Sequence, residues 1–349
     1  MPMQLREEIE RALVAFIDRE IVQLSSIGPE LAPISEATRE FLTEGKRLRP
    51  LFAYWANRAC GGVHSDALVN AVSSLEFLHA CALIHDDVMD GSDTRRGKPA
   101  IHHRFATLHR QESMSGNAET FGLSSAVLLG DLCLVWADRM LNESGLDHVV
   151  MHRLNPVYDE MRVELMAGQY LDVLEQALAT SSVERSLRIA RYKSGKYTVE
   201  RPLHFGAVIA GADTPTLELF SRYGLPLGEA FQLRDDILGV FGDPSETGKP
   251  AGDDLREGKR TVLIAHAVNR ASAAQSIEIR KHLGDPHLSP EGVQILREII
   301  RDTGALSEVE KIIEESLAES IAAISSASLD AEAVAVLKDL AIAATRRVL

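Results

Sequence analysis

The sequence predicts an all-α protein, and three observations carry that expectation. Apolar residues recur at helical spacing almost throughout. No convincing alternating strand pattern with hairpin signals interrupts them. Aromatic residues are only 5% of the 349-residue chain, whereas Ala, Leu, Ile and Glu are plentiful, a balance that favours helix over sheet.

Leu5, Ile9, Leu13 and Phe16 form one stripe of an opening helix. From about Asp66 to Met89 the chain is apolar on nearly every side of a helix, which predicts a central position. Ser124–Leu141 is rich in leucine and small residues, suited to close packing against a neighbour. Tyr158–Leu178, Val183–Ala210, Thr216–Val240 and Thr261–Ala274 continue the series, and three further helical stretches lie beyond Ser289. Polar, Gly and Pro residues mark loops at Gly91–Lys98, Gln111–Phe121, Asp243–Gly258 and Gly284–Pro290. None reads as a long linker, so residues 1–349 are expected to form one large domain, although the length would also fit two.

With 45% hydrophobic and 25% charged residues, the chain can bury a sizeable core. A net charge of -14 argues against a nucleic-acid surface, which needs a basic footprint. It leaves room for a small anionic substrate held by local arginines or bound cations. The three cysteines (Cys60, Cys81 and Cys133) stand far apart with no CxxC, so reduced thiols in the cytoplasm are expected. The opening "MPMQLREEIE" lacks the features of a signal peptide, and no membrane span is expected.

Chemistry concentrates in Leu83–Pro99, "LIHDDVMDGSDTRRGKP". On a helix Asp86 and Asp90 share a face, about 6 Å apart along the axis. Like charges at that spacing destabilise a helix, so they call for a cation. Oxygen ligands with no partnering His or Cys suit magnesium, completed by water and substrate phosphates. His85 points away from that face and is not taken as a ligand. A solvated helix end accounts for such a cluster equally well in isolation. Two features weigh against it: the aspartates end an apolar helix where unneutralised charge is expensive, and Arg95 and Arg96 follow with forks suited to phosphate.

A second cluster, "FQLRDDILG" with Asp235 and Asp236, also follows a mainly apolar helix. Two carboxylate clusters on facing helices would hold metal ions with a polyphosphate as bridging ligand, and such a site would tie both halves into one domain. Counter-charge is available from "GKRLRP" (Lys46, Arg47, Arg49), "YKSGKY" (Lys193, Lys196) and "GKPAGDDLREGKRT" (Lys249, Lys259). No GxxxxGK[ST] supports a Walker-type phosphate loop.

Together with "GQYLD", these segments in this order resemble the trans-isoprenyl diphosphate synthases, the head-to-tail polyprenyl synthetase family, over about Glu44 to Leu263. The resemblance implies a single helical bundle of the isoprenoid synthase type with a central active-site cavity. It assigns magnesium, three ions per active site, to Asp86, Asp90 and Asp235, with Asp87 alongside. Asp86, Asp87, Asp90, Arg95, Lys193, Asp235, Asp236 and Lys259 make up the implied catalytic set. Arg95, Lys193, Ser194, Gln232 and Lys259 would contact the allylic diphosphate, and Lys249 belongs to the same diphosphate-binding group. Lys46, Arg49, His79 and Arg96 would bind isopentenyl diphosphate; without the resemblance His79 reads better as a core histidine. Gln169 and Asp172 would line the same cavity. Two departures stand out: Gly239 where many relatives carry a third aspartate, and Ser194 where threonine is usual.

The implied reaction condenses isopentenyl diphosphate with dimethylallyl, geranyl or farnesyl diphosphate. Cys81 and Ala82, one turn before Asp86, are small where bulky aromatics would stop elongation early. Leu78 and Leu75, roughly 12 and 16 Å along the helix from Asp86, are candidates for the cavity floor, although they also read as ordinary core residues. Geranylgeranyl diphosphate is the product expected, with farnesyl or longer polyprenyl diphosphates as alternatives. A class I terpene cyclase would not need the Lys46, Arg49 and His79 set, and a non-catalytic partner subunit should have lost its aspartates or arginines. The resemblance, and the apolar helix around Leu128, also predict a homodimer.

Overall fold

The computed structural model describes residues 2–43, 45–243, 252–325 and 328–346. Lys249 therefore lies outside the described residues. The elements run α1 (Pro2–Ile27), a 3-10 turn (Pro29–Leu31), α2 (Ala32–Leu42), α3 (Leu48–Ala59) and α4 (Asp66–Asp90). A two-stranded hairpin, β1 (Thr94–Arg95) and β2 (Lys98–Pro99), precedes α5 (Ile101–Gln111), α6 (Ala118–Asn142) and α7 (His148–Leu178). Then come α8 (Val183–Ile189), a π-helix (Ala190–Glu200), α9 (Arg201–Ile209) and α10 (Thr214–Phe241). The chain ends with α11 (Asp253–Glu257), α12 (Val262–Arg270), α13 (Ala273–His282), α14 (Pro290–Asp302), α15 (Ala305–Ser325) and α16 (Ala331–Thr345). The all-α expectation holds.

Local chemistry explains the boundaries. Ser65 accepts the Leu68 amide at 3.2 Å to start α4, and Asp213 accepts that of Thr216 at 3.0 Å to start α10. Gly91, at φ 66°, ends α4 directly after Asp90. The expected helix Thr261–Ala274 is in fact α12 and the start of α13. Ser272 and Gln275 form a capping box that begins a new helix there. Val183–Ala210 is continuous, but its middle is wound as a π-helix, and the loop expected over Asp243–Gly258 contains α11.

The chain divides into two compact units, each assembled from separated stretches. The first comprises Met1–Arg95, Pro99–Asn155 and Phe205–Gly211. Its spine is α4, whose Leu75, Phe77, Leu78, Cys81 and Ile84 have no exposed surface. Phe77 meets Phe16 and Trp136 edge-on, at centroid distances of 5.1 and 6.1 Å. Along the α4–α6 seam His85 lies directly over Gly130, where a Cβ would come 2.1 Å from its Nε2. Cys81 and Cys133 are both buried in this seam, and burial pushes the Cys81 thiol up to about 12 and the Cys133 thiol higher still. Both helices reach the length and hydropathy of a membrane span, but 72% of that window in α4 is buried within the protein, against 44% in α6. The remainder of α6 bears an outward apolar stripe, with Leu128 65% and Val135 55% exposed.

The second unit comprises Arg96–Lys98, Pro156–His204 and Ala212–Leu349. Here α10 is the spine, burying Leu233, Ile237 and Val240 against Leu255, Leu263, Ile300 and Ile313. Each such side chain contributes about 1.5–3 kcal/mol by leaving water. The Tyr223 hydroxyl donates to the Leu337 carbonyl at 2.7 Å, and Arg234 Nε to that of Thr345 at 2.8 Å, tying α16 down. Glycines let backbones touch. A Cβ on Gly228 of α10 would sit 2.5 Å from the Gly195 oxygen, and one on Gly168 of α7 would sit 2.3 Å from the Lys193 nitrogen. The π-helix is thus pressed between α7 and α10 with no side chain intervening at those points.

Candidate active site

The first aspartate motif occupies the last turn of α4. Asp87 has no exposed surface and receives the guanidinium of Arg95, with Nε 2.9 Å from Oδ1 and 3.2 Å from Oδ2, and Nη2 also bonded to Oδ1. The same Nη2 is 3.7 Å from Asp86 Oδ2. Between Asp87 and Arg95 the helix ends at left-handed Gly91, where the Ser92 amide donates to the Asp87 carbonyl at 3.0 Å; Arg95 then closes β1, ahead of the two-residue turn Arg96–Gly97, left-handed at φ 54° and 75°. Asp86 and Asp90 are half-buried on the helix face that also carries Ala82 and Leu78. Cys81 and His85 lie on another face: His85 Nε2 is 3.1 Å from the Val127 carbonyl on α6, and Cys81 Sγ is 3.7 Å from His85 Nδ1.

In the same unit, Arg47 is a buried structural cation. Its Nη1 donates to Glu76 Oε2 of α4 at 2.7 Å, and it also bonds the Leu42 carbonyl. That pair fixes the stretch that bears exposed Lys46 and buried Arg49. The sequence places Arg47 only among the cations; Glu76, inside an otherwise apolar helix, was the available signal for its partner. His79 is half-buried on α4.

In the second unit Asp235 and Asp236 sit near the end of α10. Asp236 is buried and accepts from Gln232 Nε2 at 2.7 Å. Burial, followed by the nearby Asp254 and Asp235 charges, raises its pKa to about 8, against the pull of Gln232 and Lys259. Asp235, Ser194, Gln232 and Lys259 are half-buried. Lys193 Nζ pairs with Asp172 Oδ2 at 2.5 Å, so "GQYLD" and "YKSGKY" do meet. Lys196 instead belongs to an internal network, 2.8 Å from Glu164 Oε1 and 3.2 Å from Glu200 Oε2. Arg201 grips the same Glu164 through Nε at 2.7 Å and Nη2 at 2.8 Å. Lys259 Nζ lies 2.9 Å from Glu257 Oε2 and 3.7 Å from Asp254 Oδ1. Asp254 does not stand out in the sequence as a site residue, although the departure at Gly239 was a signal.

No group of three His, Cys, Asp or Glu side chains capable of caging a metal occurs among the described residues. The donor set fits magnesium nonetheless. It consists of half-buried carboxylate oxygens, and magnesium commonly takes only one or two protein carboxylates, filling its shell with water and substrate phosphates.

A family model, Polyprenyl synthetase, matches residues 32–301. The chain belongs to the polyprenyl synthetase family. Geranylfarnesyl diphosphate synthase of Aeropyrum pernix is 34% identical over 299 residues, spanning 84% of this chain and 87% of that protein. Geranylgeranyl diphosphate synthase of Mycobacterium tuberculosis is 31% identical over 283 residues, spanning 81% and 75%. Among solved structures, geranylgeranyl pyrophosphate synthase from Corynebacterium glutamicum, complexed with isoprenyl diphosphate and magnesium, superposes with a TM-score of 0.96. It is 41% identical and covers 99% of each chain. This polyprenyl synthetase is therefore a trans-prenyl diphosphate synthase, a prenyltransferase with the isoprenoid synthase fold.

Proposed function

We propose that the protein is a geranylgeranyl diphosphate synthase. It would extend dimethylallyl, geranyl and farnesyl diphosphates with isopentenyl diphosphate, acting as one domain and as a homodimer in the cytoplasm. The observation that carries this reading is a division of labour repeated in both aspartate pairs. One carboxylate in each is buried and held internally, Asp87 by Arg95 and Asp236 by Gln232, while its neighbour, Asp86 or Asp235, is half-buried. That division favours Asp86, Asp90 and Asp235 as the carboxylates that would hold magnesium, at three ions per active site.

Magnesium bound there supplies positive charge to the diphosphate as it departs. Lys193, Lys259, Ser194 and Gln232 bind and orient the allylic diphosphate, and Arg95 adds its charge while keeping Asp87 in place. Lys46, Arg49, His79 and Arg96 hold isopentenyl diphosphate. The allylic carbon–oxygen bond breaks to leave an allylic cation, the double bond of isopentenyl diphosphate attacks that cation, and the proton lost afterwards passes to the released diphosphate. Exclusion of water protects the allylic cation. Ala82 leaves room for a long chain, with Leu78 as floor, whereas Cys81 is turned into the seam with α6.

The test is incubation of the purified protein with isopentenyl diphosphate and each labelled allylic diphosphate, followed by chromatographic sizing. A twenty-carbon product is expected. Shorter or longer chains would overturn the assigned length, and products formed without incorporating isopentenyl units would indicate a cyclase.

A further inference from the structure

Three residues of α7 spaced four apart, Glu164, Gly168 and Asp172, share one helix face. All three meet the π-helix or the residue that follows it. Asp172 Oδ2 pairs with Lys193 Nζ at 2.5 Å. At Gly168 the backbones are too close for a Cβ, which would strike the Lys193 nitrogen. Glu164 takes Lys196 through Oε1 at 2.8 Å and Arg201 through both oxygens, at 2.7 and 2.8 Å. One face of α7 therefore runs along the segment that presents Lys193 and Ser194.

The Glu164 contact has a feature that the other two lack. Lys196 and Arg201 are five residues apart, and on an α-helix they would point about 140° away from each other. Here the Arg201 amide donates to the Lys196 carbonyl, the i-to-i+5 bond of π winding. The wider turn stacks the second residue over the first, and one carboxylate takes both side chains. Glu164 thus bridges the same two residues whose backbones share the last π hydrogen bond. Burial opposes the charge on this carboxylate, but Arg201 and Lys196 together hold it below the usual range. Neither cation depends on it alone: Lys196 also reaches Glu200 Oε2 at 3.2 Å, and Arg201 reaches Glu160 Oε1 at 2.9 Å. Removing the Glu164 charge therefore strands no buried cation.

We infer that Glu164 is a positioning residue for the allylic diphosphate: its double clamp holds Ala190–Glu200 in the π winding that aims Lys193 and Ser194. The inference rests on the prenyl diphosphate synthase reading, which assigns those two residues to that substrate. Glu164 acts through the backbone and touches no substrate. Without the clamp, a return to α winding would turn Lys193 by about 100° relative to α9, the angle of one residue.

The experiment is steady-state kinetics of Glu164→Gln with geranyl and isopentenyl diphosphates each varied, beside hydrogen–deuterium exchange over Ala190–Glu200 and melting curves. The KM for geranyl diphosphate is expected to rise about tenfold or more. That for isopentenyl diphosphate should stay within about twofold, because none of its assigned ligands lies on the π-helix. Amides of the π-helix should exchange faster while those of α4 keep their rates. Lys196→Met breaks one half of the same clamp and should give the same split. The double variant should fall little below the worse single one, since both changes undo one device. An unchanged geranyl diphosphate KM overturns the proposal, as does an equal rise in both KM values, a rise without faster exchange, or effects that multiply in the double variant. If Glu164→Gln does not fold, Lys196→Met decides by the same KM and exchange criteria. A wild type that makes no prenyl product from these two substrates instead removes the functional reading itself.

Discussion

At the scale of single residues, adjacent aspartates that look alike in sequence have unlike environments. Replacing Asp86 or Asp235 with Ala is expected to lower turnover by several orders of magnitude in a folded protein, because both are assigned to hold the metal acting on the leaving group. Steady-state kinetics across a magnesium titration checks this, and unchanged turnover at limiting magnesium would sink the assignment. Asp236 makes a different prediction, about stability. Its folded pKa of about 8 lies above the ordinary 3.8, so the folded state keeps a proton that the unfolded chain has already released. Its contribution is therefore complete below the ordinary value and declines as pH rises toward about 8. Without metal, the protein is expected to lose on the order of 1 kcal/mol or more from this group between about pH 5 and about pH 8. Asp236→Asn, which cannot ionise, should flatten that part of the profile in denaturant titrations. The residue types of the site were legible because opposed charges at the ends of apolar helices are costly to keep there unless a ligand joins them. Their partners were not. Arg95 meets Asp87 across the helix end at left-handed Gly91, and Lys196 answers to Glu164, 32 positions earlier.

At the scale of elements, periodicity located the long helices, since one buried face repeats every turn. It missed the winding of Ala190–Glu200, because a π-turn changes hydrogen bonding without changing the apolar pattern greatly. It also merged two helices across Ser272, whose capping box is a local signal inside an otherwise helical stretch. The glycine contacts around the π-helix give a direct test. Gly228→Ala should cost about 1–3 kcal/mol by forcing α10 from the Gly195 backbone, read as a lower denaturation midpoint. It should also raise the KM for the allylic substrate, because Lys193 rides on the displaced segment. The helix faces likewise separate the two proposed chain-length positions. Ala82 shares a face with Asp86, so Ala82→Phe should shorten the product while sparing the first condensation. Cys81 is buried along the seam with α6, so Cys81→Phe should chiefly destabilise the protein. Product chromatography beside melting curves distinguishes these outcomes; a full-length product from active Ala82→Phe would place the ruler on another helix.

At the scale of the whole molecule, the outward stripe of α6 is a large apolar area for a solitary chain to leave in water. Leu128→Glu is expected to shift the protein from dimer to monomer in sedimentation velocity, whereas a wild type that sediments as a monomer at micromolar concentration under active conditions would refute the dimer. The α4–α6 seam behind that stripe has an experimental consequence of its own. A thiol attacks reagents as thiolate, and Cys81 and Cys133 hold almost none near neutral pH, whereas Cys60 is only half-buried. Alkylation of the native protein should therefore begin with Cys60, and the slower disappearance of the other two thiols times the breathing of the central helices. Their protection measured with and without substrates would report, from two native atoms and with no added label, how far ligand binding quiets the packing between α4 and α6.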